Sequence, residues 1–147
     1  MTQPDRTWEA HLACYAEADA LYRAGEVLRA LKLFRNALIL APGDVDTLWA
    51  IGDCYTDLAK PRRAEGFYRR ARAGAAWRER GDLLYNIANA LLDQRRPAAA
   101  LRLYRLVPIR ASSFKFVRKN QGHARALLAD RPFGADTHPQ RALHLGR

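Results

Sequence analysis

The chain has 147 residues and a formal net charge of +10, with 25 Lys and Arg against 15 Asp and Glu. This length predicts one domain, and a hydrophobic fraction of 49% allows a substantial core. The sequence contains no apolar run of about 18 residues, the length needed to span a membrane. Its first residues lack the apolar segment of a signal peptide. We therefore expect a cytoplasmic protein that does not insert into a membrane.

Apolar residues at helical spacing predict a first hairpin of two helices. Its first helix is expected over residues 8–24, with Thr7 as the cap, and its second over residues 26–40. Gly25 separates the two helices, and Pro42 is expected to terminate the second helix.

Two further hairpins follow with the same organisation. In the second, the apolar pattern breaks before Pro61, which suits the first position of a new helix, and ends near Gly74. The third is expected to open at Gly81 and to end at Pro108. A last helix and a basic tail complete the chain. The predicted segments are a lead-in with the helix start over 1–10, three repeats over 11–44, 45–78 and 81–114, the last helix over 115–130, and a flexible basic tail over 131–147.

Five series of residues recur with one common period, so the three hairpins are copies of one repeat. The small residues Ala18, Gly52 and Ala88 step by 34 and then by 36 positions. The series with the same steps are Leu21, Tyr55 and Leu91; Ala30, Ala64 and Ala100; Phe34, Tyr68 and Tyr104; and Ala37, Ala71 and Val107. The small residue is expected to let two helices approach closely, while the aromatic ring fills the gap beside it. The two extra residues are expected to lengthen the loop over 74–81.

The second hairpin resembles the tetratricopeptide repeat (TPR), whose pattern is W-x₂-L-G-x₂-Y followed by A-x₃-F in about 34 residues. The matching residues are Leu48, Ile51, Gly52, Tyr55, Ala64, Tyr68 and Ala71. The resemblance implies an all-α fold, an α-solenoid of three TPR hairpins with a C-terminal capping helix. It also implies a concave groove lined by the first helices. The layout is similar to that of the chaperones of bacterial type III secretion, which protect translocator proteins.

In such a groove, one face of each first helix would carry an aromatic residue and several aspartates. Aromatics and carboxylates together suit a peptide with basic and apolar residues. The alternative is that Asp46 and Asp82 stabilise helix N-termini and that the aromatics pack between repeats. The acidic-tail clamp of some TPR proteins has no counterpart here. The candidate groove residues are Tyr15, Asp19, Tyr22, Asp46, Trp49, Asp53, Asp57, Asp82, Tyr85, Asn89 and Asp93.

The second helices carry most of the positive charge. This gives an alternative function, binding of nucleic acid or an anionic surface through an arginine-rich convex face and the tail. The simpler interpretation is a solvated face, because no base-stacking platform is evident. Self-association into a homo-oligomer is a third possibility. The residues of the alternative basic face are Arg62, Arg63, Arg69 and Arg70.

No residue pattern predicts catalysis, a cofactor or a metal site. The sequence has no Gly-rich phosphate loop, no paired Cys ligands and no HExxH motif. The two cysteines, Cys14 and Cys54, are expected to be buried free thiols. The sequence therefore predicts a non-enzymatic adaptor, scaffold or chaperone that binds a protein or peptide partner.

Overall fold

The computed structural model describes residues 5–130, so the predicted tail over 131–147 lies outside the described residues. Seven α-helices follow one another: α1 (Arg6–Arg23), α2 (Val27–Leu40), α3 (Val45–Asp57), α4 (Pro61–Gly74), α5 (Trp77–Asp93), α6 (Pro97–Tyr104) and α7 (Phe114–Ala129). Each helix packs on the next. Helices α1–α2, α3–α4 and α5–α6 form three hairpins, and α7 packs against the last. The predicted all-α solenoid is confirmed, and residues 5–130 contain no strand.

Each hairpin has a buried small residue in its first helix and a buried aromatic ring in its second. In the second hairpin, Gly52 lies so close to Tyr68 that a Cβ atom on the glycine would come within 2.6 Å of the ring carbon Cδ1. The equivalent small residues, Ala18 and Ala88, have no exposed surface. The predicted role of the small residue is therefore confirmed at Gly52, where close approach leaves no room for a side chain.

The turn inside each hairpin has the same backbone conformation. The second residue after the helix end has a positive φ of 81° at Gly25, 55° at Ala59 and 59° at Arg95. In all three turns, the N–H that follows this residue donates to the carbonyl five positions earlier, at 2.8 to 2.9 Å. This is the Schellman arrangement that ends many helices. Glycine adopts it without strain, whereas an L-residue with a Cβ atom is disfavoured there by about 1–2 kcal/mol.

Two predicted helix starts are wrong by part of a turn or more. The cap of α1 is Asp5, whose Oδ1 accepts from the Thr7 N–H at 3.0 Å, so Thr7 lies inside the helix. Helix α5 begins at Trp77 and not at Gly81. The Glu79 side chain accepts from the Ala76 N–H at 3.1 Å and stabilises this earlier start.

The two extra residues of the third repeat therefore do not lengthen a loop. Only two residues, Ala75 and Ala76, separate α4 from α5. The additional length forms the first turn of α5. Further along this helix, Gly81 packs closely against Pro108 and Ala111, and a Cβ atom there would lie 2.9 Å from atoms of both residues.

The buried polar groups include one histidine that the sequence pattern did not reveal. His11 is 2% exposed, and its Nδ1 lies 3.0 Å from the Ala37 carbonyl. Its Nε2 lies 3.5 Å from Asp44, the residue that caps α3 through the Thr47 N–H. This side chain thus links the first hairpin to the start of the second.

The cysteines agree only in part with expectation. Both thiols are free, and Cys54 is buried, but Cys14 is half-buried. Its Sγ donates to the Leu33 carbonyl at 3.2 Å. No helix between residues 5 and 130 has the length and apolar character needed to cross a bilayer.

Replacing Gly52 by Ala is expected to lower the free energy of unfolding by about 1–3 kcal/mol, because the new Cβ atom pushes Tyr68 out of its place. Urea unfolding followed by circular dichroism measures the change. The matched control is Gly66→Ala in α4, where a Cβ atom meets nothing within 4 Å. The control is expected to raise the free energy of unfolding by about 0.5–1 kcal/mol. A Gly52→Ala variant as stable as the parent chain would contradict the close-packing argument.

Replacing Ala59 by Gly is expected to raise the free energy of unfolding by about 1 kcal/mol, because it relieves the positive φ of that turn. Thermal and urea unfolding measure the gain. The same change at Ala13, an exposed position inside α1, should instead lower stability by about 1 kcal/mol. Equal effects at the two positions would show that the turn at Ala59 is not strained.

Candidate functional site

One pocket between α1 and α3 collects six of the predicted groove residues. Its volume is about 210 Å³. Phe34 of α2 and Ala50 of α3 complete the lining. The predicted residues that line it are Tyr15, Asp19, Tyr22, Asp46, Trp49 and Asp53. The structure therefore brings together three aromatic side chains and three carboxylates from the first helices of repeats one and two.

Tyr15 forms one wall of this pocket. It is half-buried, and its ring meets Phe34 edge-on with the ring centroids 5.3 Å apart. Burial raises the pKa of the Tyr15 hydroxyl, and the carboxylates of Asp46 and Asp19 raise it further. The phenol therefore stays neutral and presents both a ring face and a hydrogen-bond donor.

Asp53 is the carboxylate at the base of the pocket. Its Oδ1 accepts from the Tyr68 hydroxyl at 2.8 Å, and the same hydroxyl lies 2.8 Å from Thr56 Oγ1. Burial raises the pKa of Asp53 from its usual 3.8 to about 6. The Tyr68 hydrogen bond opposes this shift, and the nearby Asp57 charge adds to it. The pocket therefore gains negative charge as the pH rises through about 6.

The hydrogen bond between Asp53 and Tyr68 has a counterpart in the third hairpin but not in the first. The equivalent positions in the three first helices are Asp19, Asp53 and Asn89. In the third repeat, the Tyr104 hydroxyl donates to Asn89 Oδ1 at 2.6 Å. In the first repeat, Phe34 offers no hydroxyl at the matching position. There the Asp19 carboxylate lies 2.9 Å from Arg23 Nε.

A second contact joins the same helices at the pocket edge. The Tyr22 hydroxyl of α1 donates to Asp57 Oδ2 of α3 at 2.7 Å. Burial and this hydrogen bond raise the pKa of Tyr22. Asp57 is exposed and is not part of the pocket lining. Its hydrogen bond fixes the position of Tyr22, which does line the pocket.

The third repeat does not extend this pocket, because α7 covers its groove residues. Asn120 of α7 donates to the Tyr85 hydroxyl and to Asn89 Oδ1, at 2.9 Å each. The Phe116 ring lies 6.4 Å from Tyr85, centroid to centroid. Tyr85, the groove aromatic predicted for the third repeat, is therefore not part of the pocket that Tyr15 and Trp49 line. A single asparagine on the apolar face of the last helix was the available signal for this contact.

Asp82 makes structural hydrogen bonds outside the pocket. Its carboxylate accepts from the Ser112 hydroxyl and from the Ser113 N–H, both at 2.8 Å, and so ties α5 to the start of α7. Burial alone would raise the pKa of Asp82, but the hydrogen bonds from Ser113 and Ser112 outweigh it and lower the pKa.

Asp93 faces a different part of the surface. It lines a separate cavity formed by the turns after α3 and α5, together with Lys60 and Arg62. Burial raises the pKa of Asp93, and His123 opposes the shift. Of the eleven predicted groove residues, five thus lie outside the lining of the α1–α3 pocket: Asp57, Asp82, Tyr85, Asn89 and Asp93.

The predicted basic face is not uniform. Arg69 is paired with Glu65 of the same helix, with Nε 2.8 Å from Oε1. Arg63 and Arg70 instead lie over the rings of Tyr55 and Phe67. Within residues 5–130, no group of three or more His, Cys, Asp or Glu side chains is placed to hold a metal ion.

The raised pKa of Asp53 predicts a pH-dependent stability. The folded chain binds the Asp53 proton more tightly than the unfolded chain, so the free energy of unfolding falls as the pH rises from about 4 to about 6. Asp53→Asn removes this fall and keeps an oxygen for Tyr68, as Asn89 does for Tyr104. We expect the variant to match the parent chain near pH 4 and to exceed its stability by about 1–2 kcal/mol at pH 7–8. Urea unfolding across this pH range measures the difference, and a pH-independent difference would contradict the assignment.

Comparison with known proteins identifies the fold. No model of a known protein family matches the sequence, and no curated protein matches it. Solved structures do match. The N-terminal domain of stress-induced protein-1 from C. elegans aligns with a TM-score of 0.70 and 16% identity, over 80% of this chain and 99% of that domain. The Arabidopsis OM64 TPR domain gives 0.73 and 14%, over 82% and 98%.

A third match is the Yersinia enterocolitica type III secretion chaperone SycD, solved in complex with a peptide of the translocator YopD. It aligns with a TM-score of 0.68 and 17% identity, over 86% of this chain and 95% of SycD. Identities this low establish the fold and leave the partner open. The chain has the fold of the tetratricopeptide-repeat proteins, with three helical hairpins closed by a seventh helix.

Proposed function

We propose that this protein is a non-catalytic protein-interaction module, an adaptor or chaperone that binds a peptide segment in the α1–α3 pocket. The observation that carries the proposal is the lining of this pocket. It combines the rings of Tyr15, Tyr22 and Trp49 with three carboxylates, and no Lys or Arg is part of the lining. Such a site favours a partner that brings its own positive charge.

The size of the pocket favours a single side chain. Sites for small molecules usually enclose about 300–1,000 Å³, whereas this pocket measures about 210 Å³. A Lys or Arg side chain would place its charged end near the carboxylates and its methylene groups against the rings. Peptide recognition through one anchoring side chain, with the rest of the segment along α1 and α3, fits these dimensions.

The two kinds of lining group act together on a cation. Aromatic faces attract ammonium and guanidinium groups by roughly 0.5–2 kcal/mol, more when water is excluded. Asp46 is exposed at the rim, and Asp53 lies deeper. The rim carboxylate would speed the approach of a basic segment, and the deeper one would fix the anchor.

The solved TPR structures support the same class of function. SycD holds a peptide of a translocator protein, so this architecture can carry a peptide site. The acidic lining here argues against an acidic peptide tail as the ligand. The surface of α4, which is basic, is the place where an anionic partner would have to bind.

The test begins with selection of peptides from a random phage-displayed library on the purified protein. We expect enrichment of Lys or Arg beside aromatic or aliphatic residues. Fluorescence anisotropy of a selected peptide then compares variants. Trp49→Ala should weaken binding about tenfold or more, because a central aromatic anchor is lost. Asp46→Asn should weaken it less, and chiefly at low salt.

Two matched controls lie outside the pocket. Trp77→Ala removes an exposed tryptophan, and Asp93→Asn removes a carboxylate of the other cavity. Both should leave the affinity within about twofold, since side chains remote from an interface contribute little. Circular dichroism and thermal unfolding confirm that each variant is folded. Selection of acidic peptides, or equal binding by the Trp49→Ala variant, would refute the proposal.

A further inference from the structure

We propose a second binding site, whose charge is opposite to that of the α1–α3 pocket. It is a cleft between α2 and α4 that takes an acidic, partly apolar segment of a partner protein. The cleft has a volume of about 490 Å³. Four arginines line it, together with Gly66 and two aromatic rings, and no Asp or Glu is part of the lining. The arginines are Arg35, Arg62, Arg63 and Arg70.

These arginines are not neutralised within the described part of the chain. None of the four lies within 4.0 Å of a carboxylate oxygen between residues 5 and 130. Arg69, on the same helix, shows the contrast, because Glu65 pairs with it at 2.8 Å. Clustered guanidinium groups repel one another, so an anion that bridges them would relieve that repulsion. The cleft is therefore a site of unbalanced positive charge.

The aromatic floor holds two of the guanidinium groups in place. Tyr55 and Phe67 stack with ring centroids 5.5 Å apart. Arg63 Cζ lies 5.6 Å from the Tyr55 centroid, and Arg70 Cζ lies 5.1 Å from the Phe67 centroid. These contacts restrict the arginine side chains before any ligand arrives, which lowers the entropy lost on binding.

The surface beside the cleft decides between the possible anions. A neighbouring cavity of about 320 Å³ on α2 shares Arg35 with the cleft and also contains Lys32. Leu28 and Ile39 line this cavity, and they are 69% and 76% exposed. Exposed aliphatic side chains next to clustered cations match a peptide that carries both carboxylates and apolar residues.

A nucleic acid fits this surface less well. Non-specific single-strand sites usually combine positive charge with aromatic faces on which bases stack. Here Tyr55 is only 4% exposed and Phe67 is covered by Arg70. The faces of both rings are therefore occupied by arginines and cannot stack on bases. Leu28 and Ile39 would make no favourable apolar contact with a phosphate backbone. We therefore assign the cleft to an acidic protein segment.

The test measures anisotropy of a fluorescein-labelled synthetic peptide that alternates Glu or Asp with Leu, with a labelled oligouridylate as the second probe. The wild-type chain should bind the peptide. The double variant Arg63→Gln, Arg70→Gln should weaken this binding about tenfold, as expected for two partly exposed charge contacts. Leu28→Ala with Ile39→Ala should also weaken it.

The matched control is Arg102→Gln with Arg105→Gln, which removes the same charge from exposed positions outside the cleft. It should leave the affinity within about twofold. Equal loss in the two arginine double variants would show diffuse charge attraction and overturn the proposal. Absence of peptide binding to the wild-type chain would also overturn the proposal. The same holds if oligouridylate binding depends on Arg63 and Arg70 and peptide binding does not. Trp49→Ala should leave this affinity unchanged, so the two proposed sites can fail separately.

Discussion

The close contact between Gly52 and Tyr68 is the constraint on which the second hairpin, and with it the candidate site, depends. Only a residue without a side chain lets α4 approach α3 so closely that the Tyr68 ring lies against the backbone. That approach brings the Tyr68 hydroxyl to Asp53, and Asp53 lines the pocket between α1 and α3. Helix spacing, the position of a buried carboxylate and the shape of the candidate pocket therefore follow from one packing contact.

The same polar position contributes to the fold and to the lining of the candidate pocket. Asp53 and Asn89 each satisfy a tyrosine hydroxyl from the second helix of their own hairpin. An amide meets this need without the cost of a buried charge, whereas a carboxylate meets it at a raised pKa. Retaining Asp at the second repeat gives the pocket a negative charge that the hydrogen bond alone does not require. Where α7 covers the third repeat, the amide of Asn89 takes this position and also accepts from Asn120 of α7.

The repeat period made the hairpins predictable because it reflects packing that recurs every 34 to 36 residues. The period did not predict where α1 and α5 begin, because local hydrogen bonds determine these helix starts. Asp5 replaces Thr7 as a cap because its carboxylate reaches the Thr7 N–H. Glu79 adds a turn to α5 by bonding back to Ala76. Six of the eleven predicted groove residues line one pocket, but the cover over Tyr85 was not predictable. That cover depends on how α7 docks, which is a tertiary contact made by Asn120.

The strained turns have a consequence for how the molecule opens. Gly25 lets the first hairpin turn without cost, while Ala59 and Arg95 hold the same conformation against their own preference. In a solenoid, each repeat contacts only its neighbours, so such costs stay local instead of spreading through a shared core. Transient local unfolding is therefore cheaper at the second and third turns than at the first. These two turns also line one cavity, formed by residues 60–63 and 93–95. We therefore expect that edge to change shape more readily than the turn at Gly25.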